Sequence, residues 1–144
     1  MISGITILDT NVVSETMRPS SSAIVLNWWS RQQSGALFIT TVTVAEILYG
    51  IELLPHGKRR VALLAGAEQM FGKVLAGRIL PFDEDAARAF PEIAIRRRAQ
   101  GRPIPDLDAQ IAAIAHSRGA VLATRNTADF EGCGVRLVNP WAGS

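Results

Sequence analysis

Apolar residues along this chain fall into short runs of strand length, separated by longer stretches with helical spacing. ITIL (5–8) and ALFIT (36–40) read as the first two strands, and each ends in polar residues. GRILPF (77–82) holds a third, AVLAT (120–124) a fourth, and VRLV (135–138) is a final short run. Between them lie SSAIVLNWWSRQQSG (21–35), VTVAEILYGIELL (42–54), KRRVALLAGAEQMFGKVLAG (58–77), EDAARAFPEIAIRRRAQG (84–101) and DLDAQIAAIAHSRG (106–119), all with helical patterning. Serines open the first of these helices and Asp83 caps the fourth, while Gly35, Pro55, Gly57 and Gly119 mark helix ends. Pro91 predicts a bend within the fourth. Strands alternating with helices predict an α/β fold of three layers, with helices on both faces of a central, mainly parallel sheet of about five short strands. No repeat, low-complexity tract or linker interrupts residues 1–144, so a single domain is expected.

Composition narrows the class. With 144 residues, 48% hydrophobic and 19% charged, the chain is large enough for a proper core and is not of disordered type. The uncharged stretch from Ser34 to Ala45 is too short to span a bilayer, and no basic segment leading into an apolar one opens the chain. A cytoplasmic protein without membrane contact is expected. Cys133 is the only cysteine, which excludes an internal disulfide and a cysteine metal cage. Net charge is only +2, but thirteen of the fifteen basic residues are Arg, clustered at Lys58–Arg59–Arg60 and at Arg96–Arg97–Arg98 with Arg102. Arg suits bidentate contacts to phosphate. The same clusters also fit a solvated helix face, so a phosphate-rich partner is permitted and not required.

The acidic residues carry the chemistry. Asp83, Glu84 and Asp85 suit a helix start, and Glu52, Glu68, Glu92 and Glu131 fit solvent-facing positions. Three others sit in odd company. Asp9 ends the first strand, Glu46 is the lone charge in TVTVAEILYG, and Asp108 shares a helix face with Ile111 and Ala112. Each has a plain structural use. Asp9 can cap the helix that follows. Thr43 and Glu46 match the S/T-x-x-E capping box. Asp108 can be the third residue of a helix capped by Asp106.

Their joint placement says more. Asp9 and Glu46 lie at or just beyond the C-terminal ends of strands, where open α/β sheets bind ligands. AVLAT ends the same way, in Thr124, Arg125, Asn126 and, a turn later, Asp129. If the strands are parallel, these groups share one rim with Asp108. Several carboxylates without a His or Cys partner describe an oxygen site for a hard cation, Mg²⁺ or Mn²⁺. His56, in a Pro-His-Gly turn, and His116, near a helix end, read as surface residues. Such a site suits phosphoryl chemistry, and with Arg to hold flanking phosphates a nuclease is the economical reading.

ILDTNVVSE, TVTVAEILYGIELL, GRILPFDE, DAQIAAIA and LATRNTADF, in that order, resemble the successive blocks of the PIN-domain family, above all its VapC and FitB-like toxins. The resemblance runs from Ile7 to Trp141 and includes the closing NPW. It implies a Mg²⁺-dependent endoribonuclease acting on RNA and silenced by a cognate antitoxin. It also implies a homodimer, with a larger complex including antitoxin and DNA. Carried over by motif, the catalytic and metal-binding acids are Asp9, Glu46 and Asp108. Thr10, Asn11 and Thr124 match small polar residues that accompany them. At the fourth acid this chain departs from the pattern: some FitB-like members have Asp where Asn126 stands, whereas many VapC-like members carry the acid three positions later, here Asp129. The alternatives are a silent PIN-like module that binds nucleic acid or an antitoxin, for which Asn126 is the best support, and a phosphatase of haloacid-dehalogenase type. The second requires an acid at position 11, which is Asn.

Overall fold

A computed structural model describes residues 4–142. Five parallel strands form one sheet in the order β3-β2-β1-β4-β5. They are β1 (Thr6–Leu8), β2 (Leu37–Thr40), β3 (Ile79–Leu80), β4 (Val121–Ala123) and β5 (Arg136–Val138). The chain builds outward from β1 to β3, then returns to place β4 on the other side of β1. The order therefore reverses between β1 and β4, the switch point at which open α/β sheets form their crevice.

The strands are only two to four residues long, and all but the edge strand β5, which opens with exposed Arg136, are largely buried, so they read as short apolar runs without polar alternation. Successive residues serve opposite faces. Ile7 and Leu122 enter the core beneath α5 (Glu84–Ala99) and α6 (Asp106–Arg118). Leu8, Ile39 and Ala123 enter a second core, shared with α1 (Thr10–Thr16), α2 (Ala23–Ser30), α3 (Thr41–Glu52) and α4 (Lys58–Gln69). Thr6 faces Leu37 on one side and Val121 on the other, which brings the ends of β1 and β4 level.

The helices differ from expectation at their ends. α2 stops at Ser30, short of Gly35. The segment 58–77 is α4 followed by a π-helical turn over Met70–Val74, where Gly72 weakens the ladder. α5 runs on through Pro91, which sits on its exposed side, and Asp83 caps it by accepting the Ala86 N–H at 3.0 Å. α6 ends at Gly119, whose φ of 61° closes the helix in the left-handed conformation glycine favours. A short α7 (Thr127–Phe130) follows β4. Among the described residues no helix is long and apolar enough to cross a membrane.

α6 is the element that carries an acid on a buried frame. Ala109, Ala112, Ala113 and Ala115 are essentially inaccessible, so α6 lies close against α5 and the sheet with no room for larger side chains. Ala112→Leu should therefore overpack this layer and cost about 1–3 kcal/mol in urea denaturation.

Candidate active site

Asp9 leaves β1 as the cap of α1, and its Oδ1 accepts the Thr10 N–H at 2.9 Å. Capping uses one oxygen only. Oδ2 accepts the hydroxyl proton of Thr124 at 2.7 Å, across the switch point. Thr124 is fully buried, and its Oγ1 also accepts the Asn126 N–H at 3.1 Å and the Asn11 side-chain amide at 3.5 Å. Asn11 Oδ1 in turn accepts the Arg125 N–H at 3.4 Å. The ends of β1 and β4 are thereby joined through polar side chains.

Glu46 is not in a capping box. β2 feeds straight into α3 through the extended residue Thr40, so the cap falls at Thr40, whose Oγ1 accepts the Thr43 N–H at 3.1 Å. Thr43 lies inside the helix, buried. Its hydroxyl stands 3.0 Å from that of Thr10, and Thr10 donates to Glu46 Oε1 at 2.7 Å. A hydroxyl has one proton, and Thr10 spends its own on Glu46, so Thr43 must be the donor to Thr10. The sequence pattern identified Thr10 but read Thr43 only as a cap. Its place one turn before Glu46 on the same helix face was the available signal.

Asp108 is half-buried in the first turn of α6. Asp106 does not cap that helix: Pro105 takes the extended cap conformation without a side-chain bond, and Asp106 is the first helical residue. Both acids meet the positive end of the helix dipole. Asp129 is exposed on α7, and Asn126 precedes that helix without capping it through its side chain.

The four acids reach one another electrostatically. Burial raises the Asp9 carboxyl above its ordinary range; the Thr124 hydroxyl and Thr10 amide oppose this, while the charges of Glu46 and Asp129 add to it. Burial, then the charges of Asp9, Glu46 and Asp129, push Asp108 up to about 6, with Arg97 opposing weakly. Among the described residues, none of the four forms an ion pair. Their polar contacts come from hydroxyls and backbone amides, which orient oxygens without cancelling charge.

No three acidic, His or Cys side chains among the described residues close into a ready ligand cage. The donor set is that of a hydrated hard cation, held by one or two carboxylates with the rest of its shell left to water and phosphate oxygens. Asp9, Glu46 and Asp108 are the acids whose oxygens could contribute to such a shell. A groove of about 420 Å³ runs from Thr10 and Glu46 past Ser14 to Arg18 and Arg59. Arg125 lies over the Trp141 ring at 4.9 Å, next to Thr124.

The Arg clusters divide. Arg96 pairs with Glu92 at 3.2 Å one turn away, as on a solvated helix face, whereas Arg60 on α4 reaches across to Glu52 at the end of α3 at 2.6 Å. Arg97 is buried and turned inward, which its place in a run of three Arg did not suggest.

An all-parallel sheet with acids gathered at its switch point defines a class of α/β proteins whose chemistry sits on the carboxyl edge of the strands. The PIN-domain family model matches residues 6–132, and the chain belongs to the PIN-domain family. It is 42% identical to the plasmid stability protein StbB of Pseudomonas syringae pv. tomato over 94% of this chain and 97% of that one. It is 38% identical to the VapC ribonuclease Y4jK of Sinorhizobium fredii, over 94% of this chain and 96% of that one. Its fold superposes on FitAB bound to the IR36 DNA fragment with a TM-score of 0.88 at 36% identity, covering 95% of this chain and 96% of the other.

The raised Asp108 gives a signed prediction. Its folded carboxyl holds a proton more tightly than the ordinary value of 3.8, so ionising it opposes folding. That penalty is absent below about pH 4 and complete above about 6. In EDTA, Asp108→Asn should melt higher than the parent at pH 7.5, with the difference shrinking towards pH 4. Melting curves across that range check it.

Proposed function

We propose that this chain is a metal-dependent endoribonuclease, the toxin of a toxin–antitoxin pair, hydrolysing RNA phosphodiesters at the rim formed by Asp9, Glu46, Asp108 and Asp129. One observation carries the reading: Asp9, just beyond β1, and Asp108, on α6, are held above their ordinary range by burial and by the charges of neighbouring acids, including Glu46 on α3 and Asp129 on α7, and none of the four has an ion-pair partner among the described residues. Such an arrangement is unfavourable unless a cation joins it. Kinship to a VapC ribonuclease and to the FitAB complex supports the class of activity and a cognate antitoxin as partner.

Asp9, Glu46 and Asp108 hold Mg²⁺, with Mn²⁺ as a substitute. When bound, the ion neutralises phosphate charge and activates water for attack on phosphorus. Asp9 is the fixed member, since Thr10 and Thr124 hold one oxygen each. Thr10 orients Glu46 through Oε1, leaving Oε2 for the ion or the attacking water. Asp108 must be ionised to take part, so protons compete with the ion for it and activity falls at acid pH. Asp129 and Asn126 flank the rim, the first with charge and the second as a neutral hydrogen-bonding group. Arg18 and Arg59 along the groove, and Arg125 beside Thr124, neutralise phosphates on either side of the cleaved bond.

The test is cleavage of a structured RNA pool by antitoxin-free protein in Mg²⁺, Mn²⁺ or EDTA. EDTA should abolish cutting. Asp9→Asn and Asp108→Asn should each lower it on the order of 100-fold while far-UV dichroism stays unchanged. Folded parent that cuts no RNA, or variants as active as the parent, would return the protein to the silent-module reading.

A further inference from the structure

Arg97 is only 4% exposed and, among the described residues, forms no ion pair. A buried guanidinium is costly unless its donors are used. Here they are used on backbone. Nε donates to the Arg102 carbonyl at 2.8 Å, and Nη1 donates to the Asp129 carbonyl at 2.5 Å, with Cys133 Sγ at 3.5 Å. Arg102, whose N–H returns to the Arg97 carbonyl at 2.9 Å, reaches across to the Ala128 carbonyl at 2.5 Å. Two guanidinium groups therefore satisfy consecutive carbonyls of α7, a four-residue helix too short to hold itself. Arg97 also pins the loop that leads from α5 into the start of α6.

We propose that Arg97, assisted by Arg102, is a positioning residue for the acidic rim: it fixes α7 and the entry to α6 together, and so sets Asp129 relative to Asp108. This rests on the metal-site reading above. Asp129 is exposed and no side-chain bond of α7's own cap anchors it, yet its charge reaches both Asp9 and Asp108. Its N–H is held by the Asn126 carbonyl at 3.0 Å, its carbonyl is held by Arg97, and Arg102 holds the carbonyl before it. A lysine at 97 keeps the charge but loses the planar fork that spans two carbonyls.

The experiment uses the full chain with Arg97→Lys, Arg102→Ala, Asp129→Asn and the double variant Arg97→Lys/Asp129→Asn. Mn²⁺ binding is read by electron paramagnetic resonance, amide exchange over residues 124–134 by mass spectrometry, and RNA cleavage as kcat and KM separately. Expected are an Arg97→Lys protein with parent-like exchange in β1 and β4 but at least tenfold faster exchange over 127–131. Its Mn²⁺ dissociation constant should rise roughly 10-fold, the low end of what groups supporting metal ligands contribute. kcat should fall with KM for RNA within twofold. The double variant should be no worse than the weaker single one, because both changes remove the same placed charge. Additive losses, parent-like Mn²⁺ affinity in Arg97→Lys, or an Asp129→Asn protein that binds Mn²⁺ as well as the parent would each overturn the clamp while leaving the metal site standing. If Arg97→Lys does not fold, Arg102→Ala decides: faster exchange over 127–131 with weaker Mn²⁺ binding supports the clamp, and parent-like behaviour overturns it. A parent that binds no Mn²⁺ sinks the metal site, and this proposal with it.

Discussion

The hydrogen bond from the Thr124 hydroxyl to Asp9 Oδ2 is the contact on which the rim depends. It joins the two central strands just beyond their last ladder bonds, where the sheet reverses its winding. Because Thr124 is wholly buried, the bond is shielded from water, and because its donor is neutral, the Asp9 charge survives it. Thr10 does for Glu46 what Thr124 does for Asp9, with Thr43 supporting from behind. Three threonines thus fix two carboxylates in direction without changing their sign. A lysine in any of those positions would hold the acids as well and leave them chemically spent.

The rim is a place where local stability is given up. Desolvation and mutual repulsion raise Asp9 and Asp108, so the folded chain carries at neutral pH a strain it would lose if these residues were amides. The rest of the fold is arranged to bear it. β1 and β4 are buried on both faces, α6 is packed through alanines, and α5 sends a guanidinium under α7. Buried, hydrogen-bonded residues thus stand next to the least favourable charges, which is what holding acids at close range requires.

Much of this was legible in the sequence, for reasons that can be named. Short apolar runs ending in polar residues marked the strands, and their alternation with helical stretches implied a parallel sheet. Parallel strands share one carboxyl edge, so Asp9, Glu46 and Thr124 had to meet there. What failed were decisions among adjacent hydrogen-bond partners. Thr40 precedes α3 and Thr43 lies in its first turn, and pattern alone could not tell that the strand runs directly into the helix and puts the cap at Thr40. Pro105 and Asp106 pose the same problem at α6. Arg97 was hidden by its neighbours: within Arg96–Arg97–Arg98 only the middle residue continues the stripe of Ala86, Phe90 and Ile93 at helical spacing, and the charge run drew the eye from the stripe.

The order of the strands has a consequence for how the protein comes into being. β4 is made late, yet it lies beside β1, the first strand, at the centre of the sheet. A chain emerging from the ribosome can build β1, β2, β3 and their helices, but Asp9 then lacks Thr124, and Asp129, whose carbonyl Arg97 holds, does not yet exist. The complete acidic rim is therefore absent from any chain that stops short of α7, although the Thr10–Glu46 part of it needs only the first 46 residues. Whatever this edge does, a growing polypeptide cannot begin doing it early.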